Sequence, residues 1–278
     1  MQISVVIGAY NQRSVLETTL KSFINQSLLV SEYEIIVVDS SSTDGTDRMI
    51  EELKPPYRLN YLRVENQGKS AARNFGIQQA KYPIILLTDA DMEATPTLLE
   101  EHRKAHENQL FSAFEGMTIN PDKTPYIKQK LKRLQKLAFS YFLTGNLSIG
   151  KKLLIQAGLF DEAFSGYGWE DIELGYRLHQ MKIPLYYLPS AVNFHNHPVT
   201  AVDMLKRKYE MGKSAAYFYQ KHPNFEIKMF LGMNPIAMGI YHLLKKLPRL
   251  LKIIKNQYIL EEYNYRLGLI EGLNALTR

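Results

Sequence analysis

Short apolar runs alternate with segments of helical spacing over residues 1–90. The apolar runs lie at 3–7, 34–38, 59–64 and 84–87, and the helical patterns lie near 14–24, 46–53 and 70–80. Strands that alternate with helices form a parallel sheet, because each helix crosses over the sheet before the next strand begins. The sequence therefore predicts an α/β protein with a mostly parallel, doubly wound sheet and helices on both faces.

The composition limits the classes of protein that this chain can be. The 278 residues are 45% hydrophobic and 22% charged, and none is cysteine. Disulfides, thiolate zinc sites and cysteine nucleophiles are excluded, which agrees with a cytoplasmic location. Residues 1–126 carry 12 Lys and Arg against 17 Asp and Glu, whereas residues 127–278 carry 22 against 11. No nucleic-acid motif accompanies this basic half, so we expect no nucleic acid partner and an anionic membrane surface instead.

Two carboxylates follow the fourth apolar run. Residues 84–87 predict a buried strand, and Asp89, Ala90 and Asp91 come after it. Open α/β sheets bind ligands at the carboxyl ends of their strands, where the turning chain can direct both aspartates toward one point. Hard oxygen ligands suit Mg²⁺ or Mn²⁺ holding a diphosphate. The alternative is a loop cap or a solvated turn, because this spacing also occurs by chance.

Other candidate ligand-binding residues follow the earlier strands. Ala9 and Tyr10 can offer backbone groups and an aromatic face to a nucleotide base, and Asp39 can accept hydrogen bonds from a base or a ribose. Arg73 follows the Gly68 turn, where the helix dipole and the guanidinium can both face phosphate. The alternatives are a packed ring for Tyr10, a turn cap for Asp39 and a helix-surface arginine for Arg73. For Lys69, a solvated loop position is the default.

Residues 166–174 combine glycines, the single tryptophan and a carboxylate pair. Trp169 can stack on the apolar face of a sugar whose hydroxyls donate to the carboxylates. Asp171 is a candidate general base, because a carboxylate can take the proton of an attacking hydroxyl, and Glu170 is its rival. The alternative is a helix start, where the dipole favours acidic residues.

The order of these motifs resembles that of family 2 glycosyltransferases with the GT-A fold. The resemblance is carried by residues 4–11, 35–46, 66–76, 89–91, 145–146, 158–162 and 166–174. The second motif of the family typically begins with two acidic residues, whereas this chain has Asp39 followed by Ser40. The acceptor-side blocks, from 145 onward, are similar to those of galactosyl- and N-acetylgalactosaminyl-type members.

The resemblance implies a Rossmann-like GT-A domain at 1–200, with a nucleotide-sugar half at 1–125 and an acceptor half at 126–200. Residues 201–278 carry none of the family motifs, and their own pattern predicts a basic amphipathic helical extension. It implies inverting transfer of a hexose or N-acetylhexosamine from a nucleotide sugar, UDP-linked, to a hydroxyl of a glycan or glycolipid, with Mn²⁺ or Mg²⁺ as cofactor. The expected site residues are Asp171 and Glu170 for catalysis; Ala9, Tyr10, Asn11, Asp39, Gly68, Arg73, Asp89 and Ala90 for the donor; Asp89, Asp91 and His195 for the metal; and Trp169, Asn146 and Gly168 for the acceptor. His195 is preferred over His197 by its place in the family pattern, and spacing alone leaves both open.

Two other functions are weighed against this one. A non-catalytic carbohydrate- or nucleotide-sugar-binding protein would not need the intact carboxylates Asp89, Asp91 and Asp171. A sugar-nucleotide nucleotidyltransferase usually has a first loop rich in glycine and arginine, and residues 9–12 contain neither.

The C-terminal segment has its own pattern. Residues 229–244 lack charged side chains, but these 16 residues include Asn234 and Pro235, and spanning a bilayer takes roughly 20 apolar residues. Residues 243–254 place leucines on one helical face and basic residues largely around the other. This predicts a helix in the membrane interface, peripheral on the inner face of the cytoplasmic membrane. The alternative is packing on the catalytic domain or on another subunit of a homo-oligomer.

Overall fold

The computed structural model describes residues 1–164, 166–196, 200–247, 254 and 256–276. The chain divides into two compact units. The first consists of Met1–Glu162 and Asp171–Pro198, and the second consists of Ala163–Glu170 and Val199–Arg278. Segment 163–170 thus groups with the C-terminal helices, although the predicted division at residue 200 assigns it to the first domain.

A nine-stranded sheet forms the centre of the first unit as far as the structure describes it. Its strands are β1 (Ile3–Ala9), β2 (Tyr33–Asp39), β3 (Arg58–Arg63), β4 (Ile84–Asp89), β5 (Met92–Ala94), β6 (Ala113–Ile119), β7 (Lys136–Leu137), β8 (Leu147–Gly150) and β9 (Leu185–His195). Their order is β3-β2-β1-β4-β8-β6-β9-β5, and β7 pairs with β9.

The sheet is parallel in one half and mixed in the other. Strands β1 to β4 run parallel to one another, and β6 runs parallel to β9. Strand β8 joins β4 and β6 in antiparallel fashion, and β5 and β7 are antiparallel to β9. The predicted α/β class with a doubly wound, parallel first half is confirmed. The short antiparallel strands carry too little periodicity to be recognised in the sequence.

Helices cover both faces of the parallel half. The helices of this unit are α1 (Arg13–Ser22), α2 (Thr46–Leu53), α3 (Lys69–Gln79), α4 (Leu98–Asn108), α5 (Lys151–Gln156) and α6 (Glu170–Gln180). Val5 lies in one buried cluster with Leu16 of α1, and its neighbour Val6 lies in another with Ile77 of α3. Because successive strand residues point to opposite faces, burial of both explains why the strands are continuous apolar runs.

The second unit is helical in its described part. It contains α7 (Ala201–Lys221), α8 (Phe225–Phe230), α9 (Pro235–Lys246) and α10 (Gln257–Leu276). Helices α7 and α10 approach closely at Gly212 and Gly268, where an added Cβ would collide with backbone of the facing helix. This confirms a helical C-terminal region. Residues 248–253 and 255 of the predicted amphipathic segment lie outside the described residues, and no described helix is long and apolar enough to cross a membrane.

Candidate active site

A charged cluster lies at the carboxyl end of β4. Asp89 is the last residue of β4, and its Oδ1 accepts a hydrogen bond from Arg73 Nη2 at 2.9 Å and lies 3.1 Å from Lys69 Nζ. Both cations come from α3, which begins after Gly68 at a φ of 95°. Glycine adopts this backbone conformation without strain, which suits a sharp entry into the helix. The positive end of the α3 dipole and two cationic side chains therefore lie beside one carboxylate.

The surroundings of Asp89 keep its carboxylate ionised. Burial acts to raise the pKa of Asp89, but the charges and hydrogen bonds of Lys69 and Arg73 outweigh it and lower the pKa to about 2. Arg73 is only 2% exposed, and its guanidinium also lies 5.3 Å from the centre of the Phe160 ring. Lys69 is 51% exposed, as its default interpretation expects, but its ammonium group also pairs with Asp89. The spacing of Lys69 and Arg73 could have indicated this pairing, because residues four apart lie on the same face of a helix.

Asp91 and His195 form a second pair. Strands β5 and β9 pair Met92 with His195, and this register places His195 Nε2 3.2 Å from Asp91 Oδ2. Neighbouring ligands of an octahedral ion, with bonds of about 2.1 Å, stand about 3 Å apart, so these two atoms are spaced to bind one ion. A carboxylate oxygen suits Mn²⁺ and Mg²⁺, and an imidazole nitrogen is accepted more readily by a transition ion such as Mn²⁺.

The predicted set of three metal ligands is not assembled. Among the described residues, no three acidic or histidine side chains lie close enough together to hold a metal ion. Asp89 is not part of such a group because its carboxylate pairs with Lys69 and Arg73. His197, the alternative to His195, lies outside the described residues. Asp91 and His195 are the two predicted ligands that lie within hydrogen-bond distance of each other, and their role as metal ligands stays a prediction.

Asp39 and Asn11 connect the loops that follow β1 and β2. Asp39 is fully buried, and its carboxylate accepts hydrogen bonds from the backbone and hydroxyl of Ser42 and from the Tyr61 hydroxyl. Asn11 Oδ1 accepts from the backbone N–H of Thr43 at 2.8 Å. Asp39 thus makes the hydrogen bonds of the turn cap that the alternative interpretation gave, and its contact with a nucleotide stays a prediction.

Three donor candidates at the ends of β1 and β4 differ in exposure. The Tyr10 side chain is 51% exposed after the end of β1 and is available to a ligand. Ala9 and Ala90 are buried, and the carbonyl of Ala90 accepts a hydrogen bond from the Thr19 hydroxyl at 2.8 Å. Of these three residues, only Tyr10 presents a side chain to solvent.

The candidate base Asp171 lies near a second, buried carboxyl group. Asp171 is partly exposed in the first turn of α6, and its Oδ1 accepts from the backbone N–H of Ile172 at 2.8 Å. Glu115 of β6 is 2% exposed and accepts from the backbone N–H of Leu143 at 3.1 Å. Burial raises the pKa of Glu115 well above its usual value; the Leu143 hydrogen bond opposes this and the charge of Asp171 adds to it. The sequence analysis missed Glu115, although an acidic residue inside an apolar strand was a usable signal.

Asn146, a predicted acceptor contact, takes part in a buried hydrogen-bond network, and its contact with an acceptor stays a prediction. It is fully buried, donates to the carbonyl of Ala191 at 2.9 Å and bonds through Oδ1 to His102 Nε2 at 2.9 Å. His102 Nδ1 lies 2.7 Å from Ser148 Oγ, which in turn lies 2.9 Å from His106 Nε2. Because an unsatisfied buried amide is costly, this network accounts for an asparagine at position 146.

This network makes a prediction for acid stability. Burial lowers the pKa of His102 to about 4, and burial with the charge of His102 lowers that of His106 to about 3, against 6.5 for both in the unfolded chain. Between these values the unfolded chain binds more protons, so the stabilisation is complete above pH 6.5 and is lost as the pH falls toward 4. We expect His102 alone to account for on the order of 3 kcal/mol of unfolding free energy.

Urea unfolding at pH 7 and pH 5 measures this effect. His102→Gln or His106→Gln should show a smaller loss of unfolding free energy between the two pH values than the wild type. His242→Gln, at an exposed histidine, is the matched control and should lose as much as the wild type. Equal losses in all four proteins would contradict the assignment.

Trp169 packs within the second unit. Its indole N–H donates to the carbonyl of Met211 at 2.8 Å, and its ring centre lies 5.5 Å from that of Phe230. Gly168 has a φ of 84°, and an added Cβ would lie 3.0 Å from Met211 Cγ. Glu170, the next residue, is 8% exposed. Trp169 and Gly168 therefore have packing roles that the motif did not reveal, and their contact with an acceptor stays a prediction.

The sheet order and the charged end of β4 define an α/β protein with the GT-A fold, and solved structures share this fold. The mannosyltransferase PcManGT from Pyrobaculum calidifontis, in complex with GDP-Man and Mn²⁺, matches with a TM-score of 0.70 and 18% identity, covering 100% of this chain and 88% of that one. S. aureus TarS 1–349 in complex with UDP matches with a TM-score of 0.63 and 16% identity, covering 99% and 92%.

The sequence comparisons give the family. The chain belongs to Glycosyl transferase family 2, whose profile matches residues 4–160, and it is thus a glycosyltransferase. The uncharacterized glycosyltransferase YfnE of Bacillus subtilis (strain 168) is 28% identical over 284 residues, which cover 81% of this chain and 71% of YfnE. Chondroitin synthase of Escherichia coli is 24% identical over 266 residues, covering 80% of this chain but only 39% of the synthase.

Proposed function

We propose that the protein is an inverting, divalent-metal-dependent glycosyltransferase that moves a hexose or N-acetylhexosamine from a nucleotide sugar to a hydroxyl group of a glycan or glycolipid. The observation that carries this proposal is the geometry at the end of β4. There Lys69 and Arg73 pair with Asp89, and Asp91 lies within hydrogen-bond distance of His195. A departing nucleoside diphosphate needs both the positive charge and the metal ligands that these residues supply.

A UDP-linked sugar is the proposed donor. TarS is bound to UDP and PcManGT to GDP-Man, so this fold accommodates both nucleotide classes. The similarity of segments 158–162 and 166–174 to galactosyl- and N-acetylgalactosaminyl-type members favours UDP. The exposed ring of Tyr10 is suited to stack on the base.

The proposed reaction uses three sets of residues of the first unit, which bind the diphosphate, take the acceptor proton and hold the metal ion. Lys69, Arg73 and the N-terminus of α3 bind the diphosphate through charge-assisted hydrogen bonds, while Asp89 fixes the two cations. Asp171 takes the proton of the acceptor hydroxyl while the oxygen of that hydroxyl bonds to C1 of the sugar. The bond between C1 and the diphosphate oxygen breaks at the same time, with inversion at C1. A divalent ion held by Asp91 and His195 would stabilise negative charge on the leaving group.

A donor panel tests the proposal directly. Purified protein is incubated with UDP- and GDP-sugars and with candidate acceptors, and released nucleotide is measured with Mn²⁺ or with EDTA. We expect UDP release from one donor class that depends on acceptor and Mn²⁺. GDP release would overturn the UDP assignment alone, whereas binding of donors without any release would favour the non-catalytic binding protein.

A further inference from the structure

Helix α9 carries an apolar face that is open to solvent. Ile236 is 78% exposed, Ile240 55%, Leu243 59% and Leu247, directly after the helix, 44%. The spacing of four, three and four residues places these side chains in one row along the helix. Single exposed apolar residues are ordinary, but four in one row form a patch that calls for an explanation.

The other side of α9 is already packed. Tyr241 is 1% exposed, and its ring stacks on Tyr263 of α10 with centres 5.3 Å apart. Asn234 caps the helix by accepting from the backbone N–H of Ala237 at 2.9 Å. The buried side of α9 therefore packs within the second unit, and the apolar row lies on its exposed side.

The charged side chains of α9 itself are of one sign. The described residues 231–247 contain Lys245 and Lys246, both exposed, and no aspartate or glutamate. Residues 201–278 as a whole hold 13 Lys and Arg against 6 Asp and Glu. A second copy of the chain on this face would bring the lysines of both copies together, whereas an anionic surface would complement them.

We propose that α9 lies in the interface of an anionic lipid membrane. Ile236, Ile240, Leu243 and Leu247 insert among the acyl chains near the headgroups, and Lys245 and Lys246 contact anionic headgroups. At twelve residues, α9 is about 18 Å long, which suits a helix that lies in the surface plane. This binding mode is separate from the proposed transfer reaction and does not rest on it.

Vesicle flotation of the full chain tests the proposal. We expect wild-type protein to float with phosphatidylcholine vesicles that contain phosphatidylglycerol, and to dissociate from them in high salt because screening weakens the lysine contacts. The double variant Ile236→Asn/Ile240→Asn should bind at least roughly tenfold more weakly, and so should Lys245→Gln/Lys246→Gln.

The matched control removes exposed apolar side chains elsewhere. Leu110 and Phe111 are 51% and 74% exposed in the first unit, and Leu110→Asn/Phe111→Asn should float like the wild type. Thermal unfolding should show that all variants are folded, since each changed side chain is exposed. Equal flotation of the isoleucine variant and the wild type would overturn the proposal, and so would equal binding to pure phosphatidylcholine. A concentration-dependent dimer that only the isoleucine variant loses would assign the row to a second copy.

Discussion

Replacing Asp171 with asparagine is expected to reduce glycosyl transfer by roughly 10²-fold or more, the scale of general-base removal. Asparagine has the size of aspartate, and its amide oxygen can still accept from the backbone N–H of Ile172, so the first turn of α6 should stay intact. It cannot take a proton from an acceptor hydroxyl. UDP affinity, measured by calorimetry, should therefore match the wild type while kcat falls.

The matched control for Asp171 is its neighbour. Glu170→Gln removes a carboxylate from the adjacent position, and we expect a smaller loss of kcat than in Asp171→Asn. The reverse order would transfer the role of base to Glu170. Wild-type rates in both variants would leave the start of α6 as a helix terminus whose acidic residues serve the dipole, and the proposed mechanism would fail.

Glu115 provides a second check on the environment of Asp171. The charge of Asp171 is one of the causes that raise the pKa of the buried Glu115. A negative charge on Glu115 would in turn disfavour ionisation of Asp171, so any shift of the acid limb of the pH–kcat profile in Glu115→Gln should be toward lower pH. This profile uses the same assay as the Asp171→Asn comparison.

The positions of the strands and helices in the parallel half could be predicted because the helices show apolar periodicity and the buried strands are continuous apolar runs. Helix α2 has the predicted bounds of 46 and 53, and β4 begins at the predicted residue 84. Helix α2 buries one face and β4 buries both, and the distribution of apolar residues in the sequence follows that burial. Strands β5 and β8 have three and four residues, too few for a period to be read.

For the site residues, the sequence could predict positions but not hydrogen-bond partners. The motif at 89–91 could be located because a strand end fixes where it lies, and Arg73 could be located because it follows a glycine turn. What the motif could not show was the partner of each group. Asp39 and Asn146 match family positions, yet the structure surrounds both with buried hydrogen bonds, and these depend on tertiary contacts such as Tyr61 and His102.

Removing either member of the Asp91–His195 pair is expected to abolish metal-stimulated turnover. Asp91→Asn and His195→Gln each delete one ligand, so the ion's stabilisation of the leaving diphosphate is lost, which amounts to several kcal/mol or roughly 10²-fold or more in rate. Mn²⁺ affinity, measured without substrate from the electron paramagnetic resonance of free Mn²⁺, should fall in both variants. EDTA added to the wild type should reproduce their residual rate.

Asp89→Asn distinguishes the observed arrangement from the predicted set of three ligands. Since the Asp89 carboxylate pairs with Lys69 and Arg73, asparagine at this position should lower turnover by releasing the two cations while leaving the affinity for Mn²⁺ near that of the wild type. A loss of Mn²⁺ affinity as large as in Asp91→Asn would mean that Asp89 leaves its cations and joins the ion when metal binds. If EDTA left the wild-type rate unchanged, and Asp91→Asn and His195→Gln turned over at that same rate, the metal would have no part in the mechanism. The charge on the diphosphate would then be balanced by Lys69 and Arg73 alone.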